Sequence, residues 1–575
     1  MKSIRKRPDK AYLGLDLWVP KEGLNVEGVK NALRFPYTVG QGEVRTLELF
    51  REATNHIMVP REFWRYDEHF NFEVVDLRPR TYKKVGFKSR IKLDHEFKGG
   101  KLYPTGQTYQ QEALESLLRA RGGTLELACG KGKTIIALQF IASRNVPALI
   151  LVDNTQLLEQ WQKSIQANLD IPGGIGLIQG DKFDWKKGLV IGTYQTVAKR
   201  VSEKKWTDQI ARWFGTLVGD EGHHINAPTF SLASNCTYGY RLILSATPYR
   251  EDGLHVIAHF HMGSTVYRDL KQELKPEIYF YWTGFRLDMN DPATVAGTHT
   301  IGGKLSISKL AVWFGRCRTR LDFILGRVRE RVKEGRKVLV LSNSVDELVN
   351  LLAVWNGAPD LYSSVPYPEP IDVGEEIPGE KLDTEELERI QKRYQEVLNV
   401  LNAKHLGEVK KKTTLQEKDD IELVLKMHEV GCKIEKLWNE RQTEYRKQLL
   451  AMPSDAGLMI RKVDVKDRMR MLREKQVTFA IMKYGKEGLD EPTIDTVIAC
   501  EPMSSRNTLQ QVMGRALRKE EKKKAPIFEV MEDDIGPMIG MCKKMRGHLR
   551  HWSVDDGGPF TYTFVGYPES SRKIR

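Results

Sequence analysis

The stretch Ala128-Cys129-Gly130-Lys131-Gly132-Lys133-Thr134 decides how this chain folds. It follows a short apolar run, Thr124 to Ala128, and opens a helical pattern, Ile135 to Ala142. A glycine-rich turn between a buried strand and a helix reads as a phosphate-binding loop. Glycines let the backbone wrap phosphate oxygens, while amides and the helix dipole stabilise negative charge. In this reading Gly130, Lys131, Gly132, Lys133 and Thr134 bind the nucleotide. Lys133 reaches the outer phosphates and Thr134 ligates magnesium. Leu127 stands where the strict pattern has glycine, and taken alone the stretch also fits a basic surface turn.

Eighty-six residues beyond Thr134, the run Leu217-Val218-Gly219 leads into Asp220-Glu221-Gly222-His223-His224. An acid at the end of a buried strand suits a metal ion on bound phosphates, so Asp220 is expected to hold magnesium. Glu221 is placed to orient and deprotonate an attacking water. His223 would sit beside the outermost phosphate.

Further apolar runs, each followed by polar or glycine-rich residues, occur at 148–152, 189–192, 241–244, 338–341, 477–481 and 496–499. Such runs read as buried parallel strands. Amphipathic helical stretches, such as Gln156 to Ala167 and Asp346 to Trp355, lie between several of them, which predicts an α/β protein. In sheets of this kind ligands bind beyond the carboxyl ends of the strands, where the unusual polar residues fall.

The gap between the runs ending near 244 and starting near 338 predicts two lobes with a junction around 255–275. Residues 366–452 interrupt the second lobe. Apolar positions at Leu387, Ile390, Tyr394, Val397 and Leu401, then at Leu423, Met427, Val430, Ile434 and Leu437, predict an antiparallel helical hairpin. It is either a passive insertion or an arm that engages DNA or a partner protein. Residues 1–100 form an accessory region with basic and aromatic character, and Phe560, Tyr562 and Phe564 predict a late strand.

Composition adds constraints. The length of 575 residues predicts three or four domains. A net charge of +14 and a pI near 9.2 favour a polyanionic partner. No apolar stretch is long enough to span a membrane, and no secretory signal precedes the first domain. Six scattered cysteines without a paired motif argue against zinc and against a disulfide framework. A cytoplasmic protein of a bacterial or phage-infected cell is expected.

These motifs together resemble those of superfamily 2 helicases of the DExH type. Tyr109-Gln110 resembles the glutamine motif that reads adenine, without the usual preceding arginine-proline. Asn154 to Trp161 resembles motif Ia, and Gly192 to Thr196 the next track-contacting motif. Ser245-Ala246-Thr247-Pro248 is similar to motif III, and Leu341-Ser342-Asn343 to motif IV. Residues 484–490 resemble motif V, with Gly488 and Asp490 facing the nucleotide. Gln511 to Arg518 resembles motif VI, with Arg515 and Arg518 one helical turn apart and Arg518 as arginine finger. Asp220 to His224 followed by Ser245 to Pro248 and then Tyr249 to Gly253 is similar to the branch of DNA translocases that holds XPB-type and phage UvsW-type enzymes.

The resemblance implies two RecA-like parallel-sheet domains, with Lys133 and Asp220 on one wall of the nucleotide cleft and Arg518 on the other. The expected division is an accessory domain at 1–100 and a first RecA-like domain at 101–265. A second RecA-like domain follows at 266–365 and 453–575, with the insertion at 366–452 between its parts. ATP and Mg2+ are the implied cofactors, and single-stranded, forked or branched DNA the implied partner. Asn154, Thr193, Gln195 and Asn343 are the candidate track contacts, with Ser342 weaker. A monomer is expected because all motifs lie in one chain; a protein partner could dock on residues 366–452. An RNA helicase, the motor part of a restriction or defence complex, and a scaffold without turnover are the rival readings.

Overall fold

A computed structural model describes the chain outside residues 1–8, 40–42, 64–71, 99–100, 121–122, 129, 222–226, 246–254, 272–274, 301–302, 362–369, 374, 376–378, 380, 383, 402–407, 461–464, 487–490, 517–522, 553–557 and 569–575. The chain divides into two compact units. One comprises Met1–Gly284, Asp464–Met469 and Lys483–Arg575, the other Phe285–Val463 and Arg470–Met482.

The first unit is built on an eight-stranded sheet. Its order is Lys182–Phe183, Ile175–Gln179, Leu189–Thr193, Ala148–Val152, Thr216–Asp220, Tyr240–Ser245, Gly123–Leu127 and Thr265–Asp269. Every pairing is parallel except that of Lys182–Phe183. The apolar runs are continuous because both faces are covered, and alternate residues serve different cores. Ala148, Ile150 and Val152 pack with the helices Tyr109–Ala120, Lys133–Arg144 and Thr155–Asn168. Leu149 and Leu151 point the other way, into a core shared with Leu17, Val19, Ile57 and Val59 of the amino-terminal region. That region's own sheet has the order Arg51–Glu52, His56–Val59, Leu17–Pro20, Ala11–Leu13, Val74–Asp76.

The strand Thr265–Asp269 carries the first sheet past residue 265, into the window expected to be a junction. Its half-exposed edge position gives it no apolar run to betray it.

A second group of parallel strands in this unit runs Thr496–Ala499, Ile527–Glu532, Glu277–Trp282, Tyr562–Val565. The last is the expected late strand. Ile527–Glu532 is buried throughout although it carries two glutamates; Glu532 is neutralised by Arg546 at 2.6 Å.

In the other unit Ala456–Met459, Val477–Ile481 and Val338–Ser342 run parallel. The helix pair Thr384–Leu401 and Glu408–Ala451 is antiparallel, as the contacts of Tyr394 with Glu422, Arg393 with Glu417 and Lys381 with Glu435 require. Val397, Val430 and Ile434 are buried in its seam, whereas Leu423, also expected there, is 49% exposed. The longer helix, 44 residues, spans about 66 Å. Its base is anchored by Tyr445 Oη donating to the Pro359 carbonyl at 3.0 Å and by ion pairs of Arg441 with Asp372 and Arg446 with Asp346. The expected α/β architecture with two parallel-sheet systems is the one observed.

Candidate active site

The helix Lys133–Arg144 starts at Gly132, whose left-handed backbone (φ +79°) lets the loop turn into it. A side chain at Gly132 would be strained by this backbone and would also meet the Gln110 amide nitrogen at 2.7 Å. No side chain caps this helix, which leaves its first N–H groups to an external acceptor. Lys133 is its first residue. The ammonium donates to the Leu127 carbonyl at 3.3 Å and lies 3.3 Å from Glu221 Oε1. Thr134 follows, half-buried.

Asp220 ends the buried strand Thr216–Asp220. Its Oδ2 accepts from the Trp161 indole N–H at 2.8 Å. Burial, reinforced by the charge of Glu221, pushes its carboxyl up to about 6; Trp161 and Lys133 oppose the shift. A buried carboxylate held at this cost is a site where a divalent cation would restore the charged form. The Thr134 hydroxyl would add a second oxygen donor of the kind magnesium prefers. Glu221 has positive φ (+47°) and is held by its N–H donating to the Leu244 carbonyl at 3.0 Å. Such a conformation is strained for a residue with a side chain, and strain of this kind collects at functional sites.

Gln110 sits under the loop instead of standing free beside it. Its Nε2 donates to the Lys131 carbonyl at 3.3 Å, and its Oε1 accepts from the Asp94 N–H at 2.7 Å. Asp94 in turn caps the helix Tyr109–Ala120, accepting from Gln110 N and Gln111 N at 3.0 and 3.1 Å. Lys131 is paired with Asp269 and lies 5.0 Å over the Tyr109 ring. The Asp269 carbonyl also accepts from Ala128 N at 3.0 Å. Asp94, Trp161 and Asp269 were not among the expected site residues. Only Trp161 had a sequence signal, its place at the end of the motif Ia resemblance.

Of the expected track contacts, Asn154 and Thr193 cap helices: Asn154 Oδ1 accepts from Leu157 N and Thr193 Oγ1 from Thr196 N. Gln195 is exposed and donates to Asp153 at 2.9 Å. Asn343 is exposed at the end of the strand Val338–Ser342. Ser342, by contrast, is fully buried and donates to Glu347 at 2.5 Å, which removes it from any surface. Gly130 and Gly132 both have positive φ. His223, Gly488, Asp490 and Arg518 lie outside the described residues; Arg515 falls in the helix Arg506–Ala516.

A glycine-rich turn into a helix, a lysine and paired acids at the ends of parallel strands form the arrangement that a P-loop nucleotide site would need. Residues 104–250 match the family described as type III restriction enzyme, res subunit. Over 167 residues the chain is 35% identical to the DNA 3'-5' translocase XPB2 of Sulfurisphaera tokodaii, covering 29% of this chain and 36% of that one. Over 148 residues it is 30% identical to the DNA 3'-5' helicase XPB of Mycobacterium tuberculosis, covering 25% and 27%. A protein of Acanthamoeba polyphaga mimivirus, provisionally named an ATP-dependent RNA helicase, is 26% identical over 260 residues, covering 45% and 49%. The matches thus span between about a quarter and a half of these relatives. The resemblance to superfamily 2 helicases, and within them to the XPB-like branch, holds over this part of the chain. No helix among the described residues is long and apolar enough to cross a membrane.

Proposed function

We propose that this chain is an ATP-dependent DNA helicase or translocase, a DNA-stimulated ATPase that unwinds or branch-migrates DNA. The observation that carries the proposal is the convergence of Lys133, Asp220 and Glu221 at the ends of adjoining elements, with Lys133 3.3 Å from Glu221. Lys133 neutralises the outer phosphates, and Glu221 orients the attacking water and takes its proton. Asp220 and Thr134 would hold magnesium, which would supply positive charge to offset the negative charge developing on the phosphates. Arg515 and Arg518 are assigned the transition-state charge, Arg518 as finger, and His223, Gly488 and Asp490 the nucleotide's surroundings.

The helix ends at Asn154 and Thr193, with Gln195 and Asn343, are assigned to the phosphate backbone of the track. Helix N-termini suit that role better than free side chains, because their N–H groups point outward. Such contacts make binding salt-dependent and weakly sequence-specific. The domain division of 1–100, 101–265, 266–365 with 453–575, and 366–452 is proposed with it, as are a monomeric state and a cytoplasmic location.

The mimivirus relative favours testing RNA as the rival track. ATPase measured with single-stranded DNA, duplex DNA and RNA, beside strand displacement on forked, tailed and four-way DNA, tests the proposal. Stimulation and displacement with DNA are expected; stimulation by RNA alone would overturn it.

A further inference from the structure

Trp161 is buried to within 2% of its surface, in the helical core of the first sheet. An indole N–H in such a place needs an acceptor, and it has Asp220 Oδ2 at 2.8 Å. A packing residue could have been leucine; the donor makes sense only toward the carboxylate. The ring belongs to the helix Thr155–Asn168, whose start is capped by Asn154. Seven residues of rigid helix, about 10 Å, separate that cap from the ring.

The start of this helix is tied to the neighbouring track-side segment. Gln195 donates to Asp153 at 2.9 Å, and Gln179 donates to Thr155 at 2.7 Å. A second rigid contact reaches the same strand: a Cβ on Gly219 would lie 2.4 Å from the Tyr194 hydroxyl, so Tyr194 seats directly on the residue before Asp220. Two buried aromatics, each next to or on the same helix as an assigned track contact, therefore meet the end of one strand, Trp161 at Asp220 and Tyr194 at Gly219.

We propose that Trp161 is a positioning residue that transmits occupancy of the track, through the helix Thr155–Asn168, to the orientation of the Asp220 carboxylate. The inference rests on the motor reading above. A shift of the helix start on binding a phosphate backbone moves the indole donor with it, and the carboxylate follows its hydrogen bond. Partners that orient a metal-holding carboxylate change metal affinity by about 10–100-fold when removed.

The test compares Trp161→Phe, which keeps most of the ring but loses the donor, with Leu158→Ala, which removes packing from the same helix. Binding of AMP-PNP to the full chain is measured by calorimetry over a magnesium series, with and without a single-stranded oligonucleotide. In Trp161→Phe the magnesium needed for half-maximal binding should rise about tenfold. The oligonucleotide's effect on AMP-PNP affinity, which linkage makes reciprocal, should shrink to less than about twofold. Leu158→Ala should melt earlier yet keep both values. Wild-type behaviour in Trp161→Phe, or equal changes in Leu158→Ala, would overturn the inference and leave the motor reading standing. Failure of the wild-type chain to bind AMP-PNP with magnesium would sink both.

Discussion

Lys133 lies between the Leu127 carbonyl and Glu221, so its loss removes the cation proposed to face the phosphates and leaves Glu221 without this ion pair. Lys133→Ala and Glu221→Gln should each reduce ATP turnover by at least about a thousandfold, since the proposed function has each act on the transition state. Circular dichroism and melting should stay close to wild type, because both side chains sit at the site's edge and outside the cores. Normal turnover in either purified variant would refute the assignment. Lys131 presents a different case. Its pairing with Asp269 bolts the loop to the edge strand, so Asp269→Ala should loosen the loop and raise KM for ATP about three- to tenfold. kcat should change by less than about twofold; a fall in kcat with unchanged KM would place Asp269 in the chemistry instead.

At the scale of elements, the helix pair Thr384–Leu401 and Glu408–Ala451 is held only at its base among the contacts described above, while Leu415 and Leu423 stay exposed. Replacing residues 383–450 by a short glycine-serine turn should leave basal ATPase within about twofold, because none of the contacts given above for the loop and the acids of the first unit comes from these residues. Substrate preference among forked, tailed and four-way DNA should change if the pair touches DNA. Unchanged preference would mark it as a passive insertion.

At the scale of the molecule, the amino-terminal region and the first sheet share one core and a buried polar seam. Arg61 donates to the carbonyls of Tyr238 and Gly239 at 3.2 and 2.9 Å and pairs with Glu62. Arg241 reaches the Leu15 and His261 carbonyls, both at 2.9 Å. Arg61→Ala should cost about 3–5 kcal/mol, since it strands buried acceptors, and it should expose residues 9–60 to protease before the rest. Simultaneous cleavage across the chain would deny the seam that role.

His261 lies in the same seam, between Ser231 and Asn235, and burial beside Arg241 and Arg61 pushes its imidazole down to about 3. Its folded value is below the unfolded one, near 6.5, so the folded chain binds fewer protons between pH 6.5 and 3. Its contribution is present at pH 7 and is lost as the pH falls through that window. About 2 kcal/mol should disappear between pH 7 and 5. His261→Gln should show a smaller drop in melting temperature over that interval than wild type; an equal drop would remove His261 from the account.

The glycine-rich turn before Lys133, the acid at the end of Thr216–Asp220 and most strands of the first sheet were legible because each is a local pattern. A continuous apolar run such as Ala148–Val152 declares burial by itself, and Gly132 declares a turn. Thr265–Asp269 escaped because an edge strand needs no such run. Whether Gln110 stands free or is locked beneath the loop depends on Asp94, sixteen residues away. Trp161 reads as one more apolar helix position until the fold brings Asp220, 59 residues distant, to its N–H. Lys131 and Asp269 meet across 138 residues, and Arg61 is satisfied by backbone carbonyls that carry no residue-type signal at all. The sequence alone determined the class of fold and the candidate chemistry at the strand ends, since periodicity and short motifs are written along the chain. Only the tertiary structure decided which side chains hold that chemistry in place, because hydrogen bonds and ion pairs depend on distance in space.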